Sequence, residues 1–430
     1  MIFLTFFLLL VAVPSWGFDA AVTRVAMNTV TGLQTITFAD FSEDCTAVPC
    51  AAIFLVTRAT TDNTLAEDAM ISLGFTDGTD QRMTLVHDND NVATTDSTRE
   101  VRGDRVIETM EAAGIDGEAI FYSWMTNGLR IDVTDAPPAA FLLTVAIMGG
   151  AGFSAKSGVL SSNAAIDGTT DVNTVGFTPD AVLLMGTRLA TNSSATYLFT
   201  TGVAVNDGSS SQGSIGCYSQ NGVTTTNPHA TTSTLYAASF TDNAGLATAI
   251  QVGAWDAQGF TATTKRVGVA ANYPYLALDF PSLDFAVSDI DTRTTIGATT
   301  TTVGFQPLWG MLLGTLARAY DVDEADLDAG QCMISMWAGQ GQYVNNANVQ
   351  DAVTTTNTGS RSDDQGVFMG TDAGTCAADS CARGFVILEP TGYSLDYSSV
   401  DTAAARKWIG FAIEDTVGPT ARRRGPGLLQ

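Results

Sequence analysis

The sequence predicts an all-β protein made of three tandem homologous β-sandwich domains with a jelly-roll-like design. Short runs rich in Val, Ile, Leu, Phe and Thr alternate with connections rich in Thr, Ser, Asp, Gly and Ala, which is typical of short strands joined by turns. The same succession of motifs also occurs three times at a nearly constant spacing, which indicates an internal repeat. Half-buried sheets must cover one another, so a sandwich is the expected architecture of each copy.

The clearest repeated motif is an apolar run opened by proline. It spans Pro49 to Arg58, Pro179 to Arg188 and Pro307 to Leu316, without a gap between the copies. The prolines are separated by 179 − 49 = 130 and 307 − 179 = 128 residues. A period of this length is enough for one small domain per copy, so a tandem array is favoured over a thin solenoid.

Further landmarks follow the apolar run in the same order. The turn dipeptides at Gly78 and Gly208, each preceded by Asp, lie 130 residues apart, and Trp124 and Trp255 lie 131 residues apart. Both landmarks are weaker in the third copy, where Leu388 replaces the tryptophan. The predicted boundaries are an apolar N-terminal segment 1–21, domains 22–150, 151–285 and 286–416, and a basic Gly/Pro-rich C-terminal tail 417–430.

The two termini differ from the body of the chain. The apolar run within residues 1–21 has the length of a signal-peptide core and is too short for a stable membrane span. Because it contains no Lys or Arg, a packed N-terminal arm is the competing interpretation. The tail carries Arg422, Arg423 and Arg424 on an otherwise acidic chain, and we expect it either to be disordered or to dock on an acidic neighbour.

The charge of the chain excludes one class of partner. Its 45 Asp and Glu against 20 Lys and Arg give a net charge of −25. Such a surface repels phosphate backbones, so no nucleic-acid partner is expected.

The six cysteines fall into two close pairs and two single residues. Cys45 with Cys50 and Cys376 with Cys381 share a five-residue separation, which is not a zinc-ligand spacing and makes both pairs candidate disulfides. Cys217 and Cys332 lie in strand-like runs, and we expect them to be buried as small hydrophobic residues.

No catalytic motif is found in the sequence. The chain has two histidines, no Gly-x-Ser-x-Gly and no phosphate-binding Gly loop ending in Lys-Ser/Thr, so we expect no enzymatic activity and no cofactor. We expect His87 to precede a polar turn and His229 to be exposed in a loop. Weak Ca²⁺ binding is the one metal activity considered, at 88–91 or in the acidic stretch 321–328, where a solvated loop is favoured. Short helices are considered at 105–113 and 323–330.

Six segments suggest a family. They resemble repeat domains of tailed-bacteriophage virion structural proteins: 31–37, 49–58, 71–81, 123–128, 134–141 and, in the second copy, 175–183. The resemblance implies a lectin-like or jelly-roll sandwich in a tail, fibre or capsid-decoration component. It further implies a non-enzymatic protein of the extracellular particle that packs against other virion proteins and against copies of itself.

The alternative is a secreted or cell-surface carbohydrate-binding or adhesion protein. Sandwiches of this kind hold sugars against exposed aromatic side chains, and a virion protein that grips a host surface glycan would combine both functions. Trp124 and Trp255 are candidates for glycan stacking or for core packing, and their matching positions favour packing. Trp309, Trp337 and Tyr393 are the other aromatic candidates.

Overall fold

The prediction of an all-β fold is confirmed. A computed structural model describes residues 17–415 except 112–113, 190–192, 243–244, 267–269, 281, 326–328, 340, 351–352, 365, 371–379 and 402–403. This part of the chain forms strands and contains no helix. The predicted helix at 105–113 is wrong, because this stretch contains strand Ile107–Glu111. The predicted helix at 323–330 is also wrong, because Glu324–Ala325 is a strand and another begins at Ala329.

The strands form three successive groups of eleven, which we call modules 1, 2 and 3. Module 1 comprises β1 Phe18–Ala26, β2 Gly32–Thr37, β3 Cys50–Val56, β4 Ala66–Glu67, β5 Ala69–Thr76, β6 Gln81–Asp88, β7 Ser97–Arg102, β8 Ile107–Glu111, β9 Gly114–Met125, β10 Gly128–Asp135 and β11 Leu142–Gly150. Module 2 comprises β12 Ser154–Ser161, β13 Thr169–Val172, β14 Ala181–Gly186, β15 Ser193–Ala195, β16 Tyr197–Val205, β17 Gln212–Ser219, β18 His229–Ser233, β19 Ala238–Asp242, β20 Gly245–Asp256, β21 Gly259–Arg266 and β22 Asn272–Asp279. Module 3 comprises β23 Phe285–Asp291, β24 Gly297–Thr302, β25 Pro307–Thr315, β26 Glu324–Ala325, β27 Ala329–Ala338, β28 Gly341–Gln350, β29 Thr358–Asp363, β30 Val367–Gly370, β31 Ser380–Glu389, β32 Gly392–Asp401 and β33 Lys407–Glu414.

Each module is a sandwich of a large and a small antiparallel sheet with the same strand order. The large sheets contain β1-β11-β3-β5-β6-β7, β12-β22-β14-β16-β17-β18 and β23-β33-β25-β27-β28-β29. The small sheets are β2-β10-β9-β8, β13-β21-β20-β19 and β24-β32-β31-β30. A strand in one module therefore corresponds to the strand numbered eleven higher in the next. Residues 1–16 of the predicted N-terminal segment 1–21 and the whole predicted tail 417–430 lie outside the described residues, whereas β1 begins at Phe18, inside that predicted segment.

The proline-led apolar run of each copy forms a central strand of the large sheet, namely β3, β14 or β25. Its side chains alternate between two cores. In β3, Ile53 and Leu55 join a core shared by the whole chain, whereas Phe54 and Val56 join the core inside module 1. A strand that is buried on both faces needs apolar residues at every position, which explains why this run shows no polar alternation.

The shared core holds the three modules together. It collects the outer faces of the three large sheets, and its residues include Phe75 from module 1, Phe199 from module 2, and Trp309 and Phe411 from module 3. The rings of Trp309 and Phe411 pack edge to face with their centroids 5.9 Å apart. Burial of one such aromatic side chain contributes about 1.5–3 kcal/mol, so each module stabilises its neighbours through a face that would otherwise meet water.

Each large sheet is completed by a seventh strand from another module. The short β15 of module 2 pairs with β7 of module 1, β26 of module 3 pairs with β18 of module 2, and β4 of module 1 pairs with β29 of module 3. Every module gives one edge strand and receives one. Because the same contact is repeated in the same direction and closes after three steps, the modules form a ring with pseudo-threefold symmetry. The exchange also covers edges that would otherwise present unpaired backbone groups.

Candidate functional site

The three modules also interlock through a second set of contacts, which we call the loop ring. It consists of the loops that join the sixth and seventh strands of each module, 89–96, 220–228 and 353–357. In each loop a buried threonine accepts a hydrogen bond from the backbone of a valine in another module. The three bonds run from Val223 N to Thr95 Oγ1 (3.0 Å), from Val353 N to Thr226 Oγ1 (3.1 Å) and from Val92 N to Thr356 Oγ1 (2.9 Å).

In each contact, the backbone N–H of the threonine donates a hydrogen bond back to the carbonyl of the same valine. Thr95 N donates to the carbonyl of Val223 at 2.9 Å, and the matching bonds from Thr226 N and Thr356 N measure 3.2 and 2.8 Å. The loop ring thus repeats one reciprocal pair of hydrogen bonds three times around the chain.

A short sequence pattern underlies the loop ring. Each loop contains a valine followed three residues later by the buried threonine, and the threonines are spaced 131 and 130 residues apart. The residue before the valine has a positive φ in two copies, 74° at Gly222 and 55° at Asn91, and Gly and Asn are the residues that tolerate this conformation best. Sequence reasoning missed the ring, although the repeated Val-x-x-Thr spacing was a signal that could have revealed it.

We expect the triple variant Thr95→Val/Thr226→Val/Thr356→Val to lose about 3 kcal/mol of unfolding free energy, since each lost acceptor costs about 1 kcal/mol. Valine keeps the volume of the side chain, so the change isolates the hydrogen bonds. Urea unfolding of the full chain would measure the effect.

The matched control is Thr94→Val/Thr225→Val/Thr355→Val, which alters the exposed threonines immediately before the buried ones. We expect this control to change the unfolding free energy by less than about 0.5 kcal/mol. Equal losses in the two triple variants would contradict a stabilising role for the loop ring.

Asp88 lies beneath the loop ring, where residues of all three modules meet. Its side chain is fully buried, and neither carboxylate oxygen has a hydrogen-bond partner. Ser97 of module 1 and Ser219 of module 2 face the group without hydrogen-bond geometry, and Thr358 of module 3 donates its hydroxyl to the Asp88 carbonyl at 2.9 Å. Burial raises the pKa of Asp88 to about 7, and the nearby hydroxyls of Ser219 and Ser97 offset only part of that rise.

The prediction that a polar turn begins directly after His87 is wrong at Asp88, which still belongs to β6. His87 and Asp88 are the last residues of β6 and both are buried. The His87 Nε2 lies 3.7 Å from a carboxylate oxygen of Asp68. The neighbouring modules bury this end of β6. The sequence of one repeat alone does not predict that burial.

The prediction that His229 is an exposed loop residue is also wrong. His229 begins β18, is buried, and places its Nδ1 2.9 Å from a carboxylate oxygen of Asp323 in module 3. Asp321 accepts hydrogen bonds from the hydroxyls of Ser233 at 2.6 Å and Thr234 at 2.9 Å. The start of the acidic stretch 321–328 is thus a contact with module 2 rather than a solvated loop, and 326–328 lie outside the described residues.

Two disulfides lie in the described part of the chain. Cys45 and Cys50 close a local loop, with their Cα atoms 5.6 Å apart. Cys217 and Cys332 are buried, but they are joined to each other across modules 2 and 3, with their Cα atoms 6.0 Å apart. The expectation of unpaired hydrophobic cysteines is therefore wrong at these two positions. Cys376 and the side chain of Cys381 lie outside the described residues.

The candidate glycan-stacking aromatics pack against cores to different degrees. Trp124 and Trp255 occupy corresponding places on β9 and β20, are half-buried, and pack against the cores of their own modules. The Trp255 indole N–H donates to the hydroxyl of Ser210 at 3.1 Å. Trp309, Trp337 and Tyr393 are fully buried, so the expectation that they are exposed to sugars is wrong.

The described residues contain no group of three or more His, Cys, Asp or Glu side chains arranged to hold a metal ion. In the same part of the chain, no helix is long and apolar enough to span a membrane. No family model, curated protein or solved structure matches the chain.

Proposed function

We propose that the chain is a non-enzymatic structural protein of a tailed-bacteriophage particle, an external capsid- or tail-associated component that packs against other virion proteins or copies of itself. The observation that carries the proposal is the closed ring of exchanged strands and reciprocal loop contacts. Such a ring gives one polypeptide the shape of a trimer, which suits a position where three similar neighbours meet.

Three further features support a structural role. Polar residues between modules, such as the buried Thr95 and the half-buried Asp321, form hydrogen bonds that interlock modules rather than line a cleft. The acidic surface keeps an external protein soluble. The resemblance of the repeated segments to virion domains supports the same role.

The test is to purify particles from cultures of the virus that encodes the chain, to identify their proteins by mass spectrometry, and to image the particles. We expect the chain at a fixed copy number, in density with three similar lobes on the outside of the head or tail. Absence of the chain from purified particles would overturn the proposal.

A further inference from the structure

An open cleft in module 2 carries an unusual concentration of positive charge for so acidic a chain. The cleft has a volume of about 690 Å³, and Arg188, Lys265 and Arg266 are among its lining residues. The chain has only 20 Lys and Arg among 430 residues, so three cations around one opening form a local exception to the surface charge. We call this feature the cationic cleft.

Two of these cations are held in place by carboxylates. Arg188 pairs with Asp242 at 3.0 Å, and Lys265 pairs with Asp167 at 3.0 Å. Arg266 is exposed and forms no ion pair among the described residues. The buried Nε of Arg188 has no hydrogen-bond partner. The exposed guanidinium of Arg266 therefore remains available to an anion that enters the cleft.

Arg99 of module 1 adds a further positive charge. Burial first, and the charge of Arg188 second, lower the pKa of Arg99 to about 10. Like charges in a partly buried region repel each other, and a bound anion would relieve that repulsion.

Module 1 keeps a cation at only one of the three matching positions, since Arg58 takes the place of Arg188 in the repeated apolar run. Lys265 and Arg266 end β21, whereas Thr134 and Asp135 end the equivalent strand β10. The third residue of β20 is an alanine, whereas the third residue of β9 is Asp116, which pairs with an arginine at 3.3 Å. Because the two strands share their place in the fold, the two cations at the end of β21 are not required by the sandwich itself. They distinguish module 2 from module 1.

The rest of the cleft lining indicates the chemistry of the ligand. Tyr236, Leu246 and Ile166 contribute an aromatic and two aliphatic side chains beside the cations. Guanidinium groups bind carboxylates through two parallel hydrogen bonds, and aromatic rings pack against the apolar faces of other rings. A ligand that satisfies both requirements has a carboxylate attached to a compact ring with an apolar face.

We propose that the cationic cleft of module 2 binds the carboxylated sugar of an acidic glycan, with Arg188 and Arg266 on the carboxylate and Tyr236 against the sugar ring. This binding does not require that the chain belong to a particle, and the host surface glycan considered for Trp124 and Trp255 is here assigned to a different site. Module 1 is not expected to offer the same site, because Thr134 and Asp135 stand at the positions of Lys265 and Arg266.

The test is calorimetric titration of the full chain at low salt with 3′-sialyllactose and with sodium glucuronate, against lactose and inorganic phosphate as comparison ligands. We expect at least one acidic sugar to bind, and lactose to bind at least about tenfold more weakly, since it lacks the charge-assisted hydrogen bonds. The variant Lys265→Thr/Arg266→Asp installs the residues of module 1 and is expected to weaken binding at least about tenfold.

The control variant Asp135→Asn changes an exposed charge at the matching end of module 1 and should leave the affinity unchanged. Thermal unfolding of both variants separates loss of binding from loss of fold. Absence of binding by both acidic sugars would overturn the proposal, as would equal affinity of the Lys265→Thr/Arg266→Asp protein. Phosphate binding as tight as that of the sugars would overturn the assignment of a sugar and leave only an anion site.

Discussion

Replacing Cys217 and Cys332 together by alanine is expected to lower the free energy of unfolding by about 5 kcal/mol. The disulfide closes a loop with a sequence separation of 115 residues. A cross-link over so long a loop strongly restricts the unfolded chain, and the stabilisation grows with the logarithm of loop length. The bond also joins β17 to β27 inside the shared core, where it resists separation of modules 2 and 3. Urea unfolding under non-reducing conditions would measure the loss.

The variant Cys45→Ala/Cys50→Ala supplies the comparison. This disulfide spans a sequence separation of only 5 residues, so its removal should cost about 2 kcal/mol. Mass spectrometry of the unreduced wild type and of each variant follows the cysteine pairing in parallel. A loss from the Cys217 and Cys332 variant no larger than that from the local pair would contradict the cross-linking role.

The stability of the wild-type chain is expected to fall as the pH rises from about 4 to 7, with Asp88 contributing about 4 kcal/mol of this decrease. The pKa of Asp88 is about 7 in the folded chain, against 3.8 for an ordinary aspartate. Between these values the folded state holds a proton that the unfolded state has released. Stability is therefore fully present below the ordinary value and is lost as the pH approaches the raised value.

The groups around Asp88 reinforce this direction. Asp68 and Asp96 raise its pKa further by repulsion, and Tyr197 of module 2 has its own pKa raised by burial first and by Asp88 second. Glu108 also has a raised pKa, to about 8, because of burial and the neighbouring Glu100. It adds a pH dependence of the same sign, so the wild-type curve alone does not isolate Asp88.

The variant Asp88→Asn separates the contribution of Asp88 to the pH dependence from that of Glu108. It removes the titrating proton and nearly preserves the shape of the side chain, so its unfolding free energy should depend less on pH than that of the wild type. We expect the variant to gain relative to the wild type as the pH is raised from 5 to 8, in parallel urea titrations. Curves that stay parallel over this range would show that Asp88 does not titrate there.

The fold class was accessible from the sequence because its signals are local. The proline-led runs and the turn glycines repeat at fixed spacing, and each depends only on residues close in the chain. Strands buried on both faces, such as the one around Phe54, also show themselves by their unbroken apolar character. The sandwich prediction needed nothing beyond these signals.

The features that interlock the modules had no local signal. The exchanged strands β4 and β26 are two residues long, too short for any periodicity to register. The sequence around His229 predicts an exposed loop residue, because the partner that helps to bury it, Asp323, belongs to another module and lies 94 residues away in the chain. The pairing of Cys217 with Cys332 likewise depends on how the modules close their ring. Contacts of this kind become predictable only after the ring itself is known.

The linkers between modules are short, only residues 151–153 and 280–284. Tethers of this length keep the partners at an effective concentration on the order of millimolar, so dilution does not dissolve the ring as it would a trimer of separate chains. In a homotrimer the three subunits must have the same sequence. In a single chain a substitution changes one module and leaves the other two unchanged. A chain with a threefold shape can therefore evolve three different surfaces. The cationic cleft, which lies in module 2, is an example.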